Sequence, residues 1–243
     1  MGKQTRIIDD SLEALLYDWH NSLKLKRQNE DINYYKEFVL ANKLKKILII
    51  GAGTGRIAMP LSSVCDVTAL DKSLGRLKRI IINSNIHIEH CDIIDFHKKE
   101  EYDCIIIPYS TFQCIYPTKK IIDMLLIIHA LLSPKGFLII DLSTHFNDDV
   151  ECDWEKVAEG FSPELDAHII EYNKIVRYKN YILLIKSFEI NNEYYQCDEI
   201  WYNYDYDYVF NVLSQTGFKI SNIRNGYGNG KSEHRRIITS NLI

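Results

Sequence analysis

Proline is scarce in this sequence of 243 residues, with five in all, and glycine is held to eleven. Those counts exclude collagen-like and linker-dominated chains. The six cysteines never fall as C-x-x-C, so neither a disulfide frame nor a metal site is indicated. Its most apolar stretches, 47–50 and 124–132, fall far short of the roughly 18 to 20 residues that cross a bilayer, and no membrane partner is expected. An excess of either charge is missing too: 29 basic against 33 acidic residues leave a net charge of -4, which disfavours nucleic acid and anionic lipid. The first six residues hold no apolar run of a secretory signal, and Arg6 stands where a myristoylation signal has Ser or Thr. A cytoplasmic location is the expectation.

What is present is an ordinary globular composition, 46% hydrophobic and 26% charged, arranged in alternating periodicities. Residues 10–42 read as helical, with Asp9, Asp10 and Ser11 as N-cap candidates and Leu12, Leu15, Leu16 and Trp19 on one face. The run Lys46-Ile47-Leu48-Ile49-Ile50 ends at glycines, as a strand buried on both faces does. Strands are predicted at 66–70, 86–90, 102–107 and 136–142, and helices at 55–63, 73–83 and 118–132. Such alternation belongs to crossover units, whose strands run parallel. Three aromatic and β-branched segments follow, 168–178, 181–190 and 193–204, joined by the hairpin signals Lys179-Asn180 and Asn191-Asn192. A helix over 205–215 and strands at 218–224 and 234–240 then complete the sheet. The predicted fold class is α/β: a doubly wound, mostly parallel seven-stranded sheet with an N-terminal helical cap and an antiparallel β insertion. Its parts are the cap over 1–44, a ligand-binding core over 45–150, the insertion over 151–204 and a closing segment over 205–243.

Chemistry concentrates in Gly51-Ala52-Gly53-Thr54-Gly55-Arg56, a G-x-G-x-G between the first buried strand and a helix. Glycines permit a sharp turn and let a ligand approach the main chain, while a helix start offers free N–H groups. A dinucleotide fingerprint needs a third glycine at position 56, where Arg56 stands. Twenty residues after Gly51, Asp71 ends the second strand, where a carboxylate accepts both ribose hydroxyls of an adenosine. At the end of the third, Asp92 can accept from an adenine amino group while Ile93 packs on the ring. Loop and acids together point to a bound nucleoside.

The chain from about Lys45 to Leu142 resembles the class I S-adenosylmethionine-dependent methyltransferases. ILIIGAGTGR stands for the first motif, TALDKS for the second, HCDIIDF for the third, YDCIIIPYSTFQ for the fourth and LLSPKGFLIIDLS for the fifth strand. The resemblance implies a Rossmann-like fold, S-adenosyl-L-methionine as cofactor, and a site made by Gly51, Ala52, Gly53 and Gly55 at the methionine part. It also implies Asp71 at the ribose, Lys72 at the adenine edge and Asp92 with Ile93 at the adenine; Arg56 and Pro108 join the same set. One departure stands out. The family usually has an acid two residues before the first glycine, and here that residue is Ile49. Holding the cofactor's ammonium then passes to backbone carbonyls near Ile50 and Pro108.

Enzymes that methylate base amines carry Asn or Asp before Pro-Pro-aromatic, whereas this chain reads Ile107-Pro108-Tyr109-Ser110, which argues against DNA or RNA. Acceptor contacts are expected on the carboxyl edge of the sheet, from Tyr109, Ser110, Phe112 and Gln113, and from Ser143, Thr144 and His145. The catalytic candidates are His145, a proton acceptor or else a solvated loop residue, and Tyr109, a hydrogen-bonding group or else a pocket wall. Tyr194, Tyr195, Trp201, Tyr202, Tyr204, Tyr206 and Tyr208 suit a cage for a cationic amine, plain strand packing, or a homodimer contact through the insertion. Gly226 to Gly230 reads as a hairpin connection, and Arg235-Arg236 as a solvated strand start. The expected function is methyl transfer to a small molecule, amine nitrogen preferred over hydroxyl. The alternatives are a nicotinamide-dependent (NAD) oxidoreductase, opposed by Arg56, and a non-catalytic binding protein, suggested by Ile49.

Overall fold

The computed structural model describes residues 5–23, 29–98, 101–144, 152–228 and 235–243. A short strand β1 (Thr5–Ile7) leads into α1 (Asp10–Leu23), opened by Asp9, whose Oδ1 accepts from the amides of Ser11 and Leu12 at 3.0 and 2.9 Å. Next come α2 (Glu30–Ala41), β2 (Lys46–Ile50), α3 (Ala58–Leu61), β3 (Asp66–Asp71), α4 (Leu74–Leu77), β4 (Ile86–His90) and β5 (Tyr102–Ile107). The apolar α5 (Thr118–Leu131) feeds β6 (Leu132–Ser143). Four long strands follow, β7 (Cys152–Ser162), β8 (Ala167–Arg177), β9 (Tyr181–Ile190) and β10 (Glu193–Tyr202), and then α6 (Tyr206–Gln215), β11 (Phe218–Asn225) and β12 (Arg235–Leu242).

Seven strands form one sheet in the order β11-β12-β6-β5-β2-β3-β4. The five from β4 to β6 run parallel, and β12 enters antiparallel to both its neighbours. Parallel strands need cover on both faces, which is why Ile47 to Ile50 and Cys104 to Ile107 are apolar without interruption. Leu48, Ile105, Leu138 and Ile140 pack against α5 and α6 on one face. On the other, Ile47, Ile49, Cys104 and Ile139 pack against α2, α3 and α4.

The remaining strands make a second sheet in the order β1-β10-β9-β8-β7, antiparallel except for β1 on β10. Leu16 and Trp19 of α1 pack on Ile169, Phe188 and Ile190 of this sheet. The same helix is fastened to α4: Asp10 accepts from Ser73 Oγ and the Gly75 amide at 2.5 Å each, and Glu13 takes a bidentate pair from Arg76. Thus α1 joins the two sheets.

Several elements differ from expectation. The helices foreseen at 55–63 and 73–83 shrink to single turns, α3 and α4. Gly55 sits at a φ of +85°, outside the helical region, so α3 starts only at Ala58, while Asn83 turns back to accept from the Asn85 amide at 2.9 Å. The helical region 10–42 is two helices. Strand β7 was not foreseen, because bulges at 152/155 and 156/158 break its alternation. The end of the insertion falls as expected: β10 ends at Tyr202, and Asp205 caps α6 by accepting from the Tyr208 amide at 2.7 Å. Among these tyrosines, Tyr204 stacks on Tyr208 at 4.6 Å and Tyr202 on Tyr116 at 4.5 Å.

Candidate functional site

β2 and β5 are neighbours, and their connections leave toward opposite edges of the sheet, which opens a crevice beyond their carboxyl ends. The loop after β2 fills one side. Gly51, Gly53 and Gly55 have φ of +74, +58 and +85°, a left-handed region that L side chains resist. A Cβ on Gly51 would lie 2.5 Å from Thr111 Cγ2 and one on Gly55 2.9 Å from Ile80 Cγ1, but one on Gly53 would meet nothing within 4 Å. The outer glycines are packed against protein. The middle one faces open space, the cradle that close approach of a nucleoside requires, so the residues present fit the cofactor.

The Leu70 carbonyl accepts from the amides of Gly51 and Ala52 at 2.8 and 3.0 Å. Asp71, 6% exposed, accepts from the Gly53 amide at 2.7 Å on Oδ2 and from the Ser73 amide at 2.9 Å on Oδ1. One N–H on each oxygen leaves lone pairs for hydroxyl donors. Lys72 is exposed beside it, and Ile93 is buried after β4. Asp92 is engaged: Lys120 Nζ reaches Oδ2 at 2.7 Å, and the Ile94 amide reaches Oδ1 at 3.3 Å. Burial raises the Asp92 carboxyl, but Lys120 and that amide outweigh it and hold it below the ordinary carboxylate value.

Tyr109, directly after buried Pro108, has a φ of +54°. Its ring lies between two guanidiniums, Arg56 at 4.7 Å and Arg235 at 4.9 Å. Each cation has a buried carboxylate: Arg56 pairs with Asp31 of α2, and Arg235 with Asp141 of β6 at 3.2 Å. Tyr227 donates to Asp141 as well. Burial pushes the Asp141 carboxyl up to about 6 against the pull of Arg235. Arg235 is therefore no solvated strand start.

Other acceptor candidates are differently occupied. Phe112 is wholly buried, edge-on to Tyr204. Gln113 spends its amide on the Ser143 backbone, donating to the carbonyl at 3.1 Å and accepting from the amide at 2.8 Å. Ser110 and Ser143 are buried and Thr144 is half-buried, while His145 lies outside the described residues.

Across the crevice stands the second sheet. Glu171, Lys186 and Glu199 share the face that carries Phe188, Tyr195 and Cys197 and turns toward α1. His20 Nδ1 contacts the buried Glu171 Oε2, and Lys186 Nζ reaches Glu199 Oε1 at 2.6 Å. Burial raises the Glu199 carboxyl, but Lys186 above all, with Arg76 and the Trp201 side chain, holds it below its ordinary value. β10 packs against the turn Thr111–Cys114 after β5, with Tyr202 stacked on Tyr116, so this sheet reaches the carboxyl edge of the core sheet. Cys114 lies in that turn. Burial puts that thiol at about 11, which keeps it protonated. Sequence reading missed Asp31 and Asp141, whose partners lie 25 and 94 positions off, and the Lys186–Glu199 pair across the β9–β10 hairpin.

The fold is the one shared by S-adenosylmethionine-dependent methyltransferases. Residues 47–136 match a family model described as a methyltransferase domain. A search of curated proteins by sequence returns no match. Among solved structures, an S-adenosylmethionine-dependent methyltransferase from Clostridium acetobutylicum ATCC 824 superposes with a TM-score of 0.78 at 14% identity, covering 93% of this chain and 97% of that one. The sugar N-methyltransferase KedS8 from Streptoalloteichus sp ATCC 53650 gives 0.77 at 12% identity, covering 100% and 95%. CalS10, an amino pentose methyltransferase from Micromonospora echinaspora, gives 0.63 at 11% identity, covering 97% and 92%. At these identities the likeness is one of fold.

Proposed function

We propose that the protein transfers a methyl group to the amine nitrogen of a small, hydroxylated acceptor such as an amino sugar. The observation that carries this reading is the charged face of the second sheet, where Glu171, Lys186 and Glu199 lie over the carboxyl edge of the core. These groups already pair with His20 and with one another, and their remaining lone pairs and ammonium hydrogens match the amine and hydroxyls of such an acceptor. The sugar N-methyltransferase among the structural neighbours supports the same class.

When bound, the cofactor supplies an electrophilic methyl group on a sulfonium. This chain's own residues do the rest. The loop at Gly53 and the carboxylate of Asp71 fix the donor's nucleoside, and Tyr109, gripped between two guanidiniums, walls the side on which the acceptor lies. Holding the two groups in line without water supplies most of the acceleration. A protonated amine must first lose its proton, and His145 and Tyr109 remain the groups proposed for that task.

The test is incubation with S-adenosylmethionine labelled on the methyl group and matched pairs of amino sugars and their hydroxyl counterparts. Label on the amine alone is the expected result; label on the hydroxyl partner alone would overturn the nitrogen assignment. Ile49 favours a second reading, a protein that binds the cofactor without turnover, for which no acceptor would yield S-adenosylhomocysteine.

A further inference from the structure

Ile49 is 0% exposed, with its side chain packed in the core between β2 and the helices. No carboxylate from β2 can therefore meet the ammonium of the cofactor's amino-acid end. Across the glycine loop, α2 delivers one. Asp31, 4% exposed, faces Arg56 in a bidentate pair, with Nη1 donating to Oδ1 at 3.2 Å and Nη2 to Oδ2. The Ile32 amide adds a 2.8 Å hydrogen bond that fixes the carboxylate. Arg56 is the residue immediately after Gly55, so the pair stands at the exit of the loop whose middle glycine opens to free space.

Resting on the cofactor reading above, we propose that the Asp31 and Arg56 pair receives the zwitterionic end of S-adenosylmethionine, Asp31 taking the ammonium and Arg56 the carboxylate. An amino acid carries opposite charges on two groups attached to one carbon, and a side-by-side carboxylate and guanidinium present the complementary set. A planar guanidinium binds carboxylates in a fork, which gives both energy and orientation. A neutral pair also meets a neutral zwitterion without net charge being buried, which a lone acid on β2 would not do. Arg235, the second cation at Tyr109, belongs to a separate pair with Asp141 of β6, whose carboxylate also accepts from Tyr227.

The test compares S-adenosylhomocysteine with 5′-methylthioadenosine, which has the same nucleoside but no amino-acid end, by calorimetry on the intact protein. The variants are Asp31→Asn, Arg56→Gln and the two combined, which keeps a hydrogen-bonded pair without charge. Each single change should weaken S-adenosylhomocysteine on the order of tenfold while 5′-methylthioadenosine stays within about twofold, and the double variant should bind the two ligands nearly alike. Equal weakening of both ligands would show that the pair only fastens α2 to the loop, and unchanged binding of both would also overturn the proposal. Should the wild-type protein bind neither ligand, the cofactor reading falls, and this inference with it.

Discussion

Gly53 donates its amide to Asp71 Oδ2 at 2.7 Å, so the glycine loop and the tip of β3 are one piece across eighteen positions of sequence. The carboxylate that would grip the ribose also sets the loop that would cradle the nucleoside. Asp71→Ala removes both at once and should weaken S-adenosylhomocysteine by about 1 to 3 kcal/mol, with Asp71→Asn losing less because its carbonyl still accepts from Gly53. Calorimetry reads the difference, and unchanged binding in the alanine variant would contradict the ribose assignment.

The glycines of the loop should separate binding from folding. Gly53→Val fills the open space and should abolish cofactor binding while lowering Tm by only a few degrees, roughly 2 to 4 °C for each kcal/mol of backbone strain. Gly51→Ala should instead act on the fold, because its Cβ would be driven to 2.5 Å from Thr111. Thermal melts with and without S-adenosylhomocysteine distinguish the two, and a Gly53→Val protein still protected by ligand would move the cofactor seat elsewhere.

Asp141 makes stability depend on pH. Burial first, against the pull of Arg235 and Tyr227, raises its carboxyl to about 6, above the ordinary value of 3.8. A raised acid holds its proton more tightly folded than unfolded, so its contribution is present at low pH and is lost as pH climbs from about 4 through about 6. Urea unfolding of Asp141→Asn should show a profile flatter by about 2 to 3 kcal/mol across that window. Parallel profiles for wild type and variant would count against the buried carboxyl as the cause.

Lys186→Met leaves Glu199 mostly buried without its cation and should destabilise the protein by about 3 kcal/mol. Replacing both, Lys186→Met with Glu199→Leu, should restore most of that loss. Chemical denaturation checks the cycle; equal losses in the single and double variants would mean that the pair is not the source.

The sheet was legible because its signals are local. Continuous apolar runs mark β2 and β5, the glycine spacing marks the turn after β2, and Asp71 follows at the distance that one crossover unit sets. Helix lengths were less so, since the positive φ of Gly55 delays the start of α3 by backbone geometry that periodicity does not register. The clusters around Tyr109 were not legible at all. Asp31 meets Arg56 across 25 positions and Asp141 meets Arg235 across 94, and only the folded sheet brings such pairs together. The change from strand to helix near Tyr204 was legible because its signal is local, a capping Asp205 before the helical stretch.

Strand β1 adds in parallel to the rim of the second sheet, with Thr5 to Ile7 paired against Tyr194 to Gln196. It is the outermost strand on that side, and Arg6 anchors it by pairing with Glu193. Clipping the chain before Ile8 would strip this cover and bare the backbone donors and acceptors of β10 along an open rim. Such a rim recruits strands from other molecules, so the shortened protein should self-associate with rising concentration even though every residue of the glycine loop is intact.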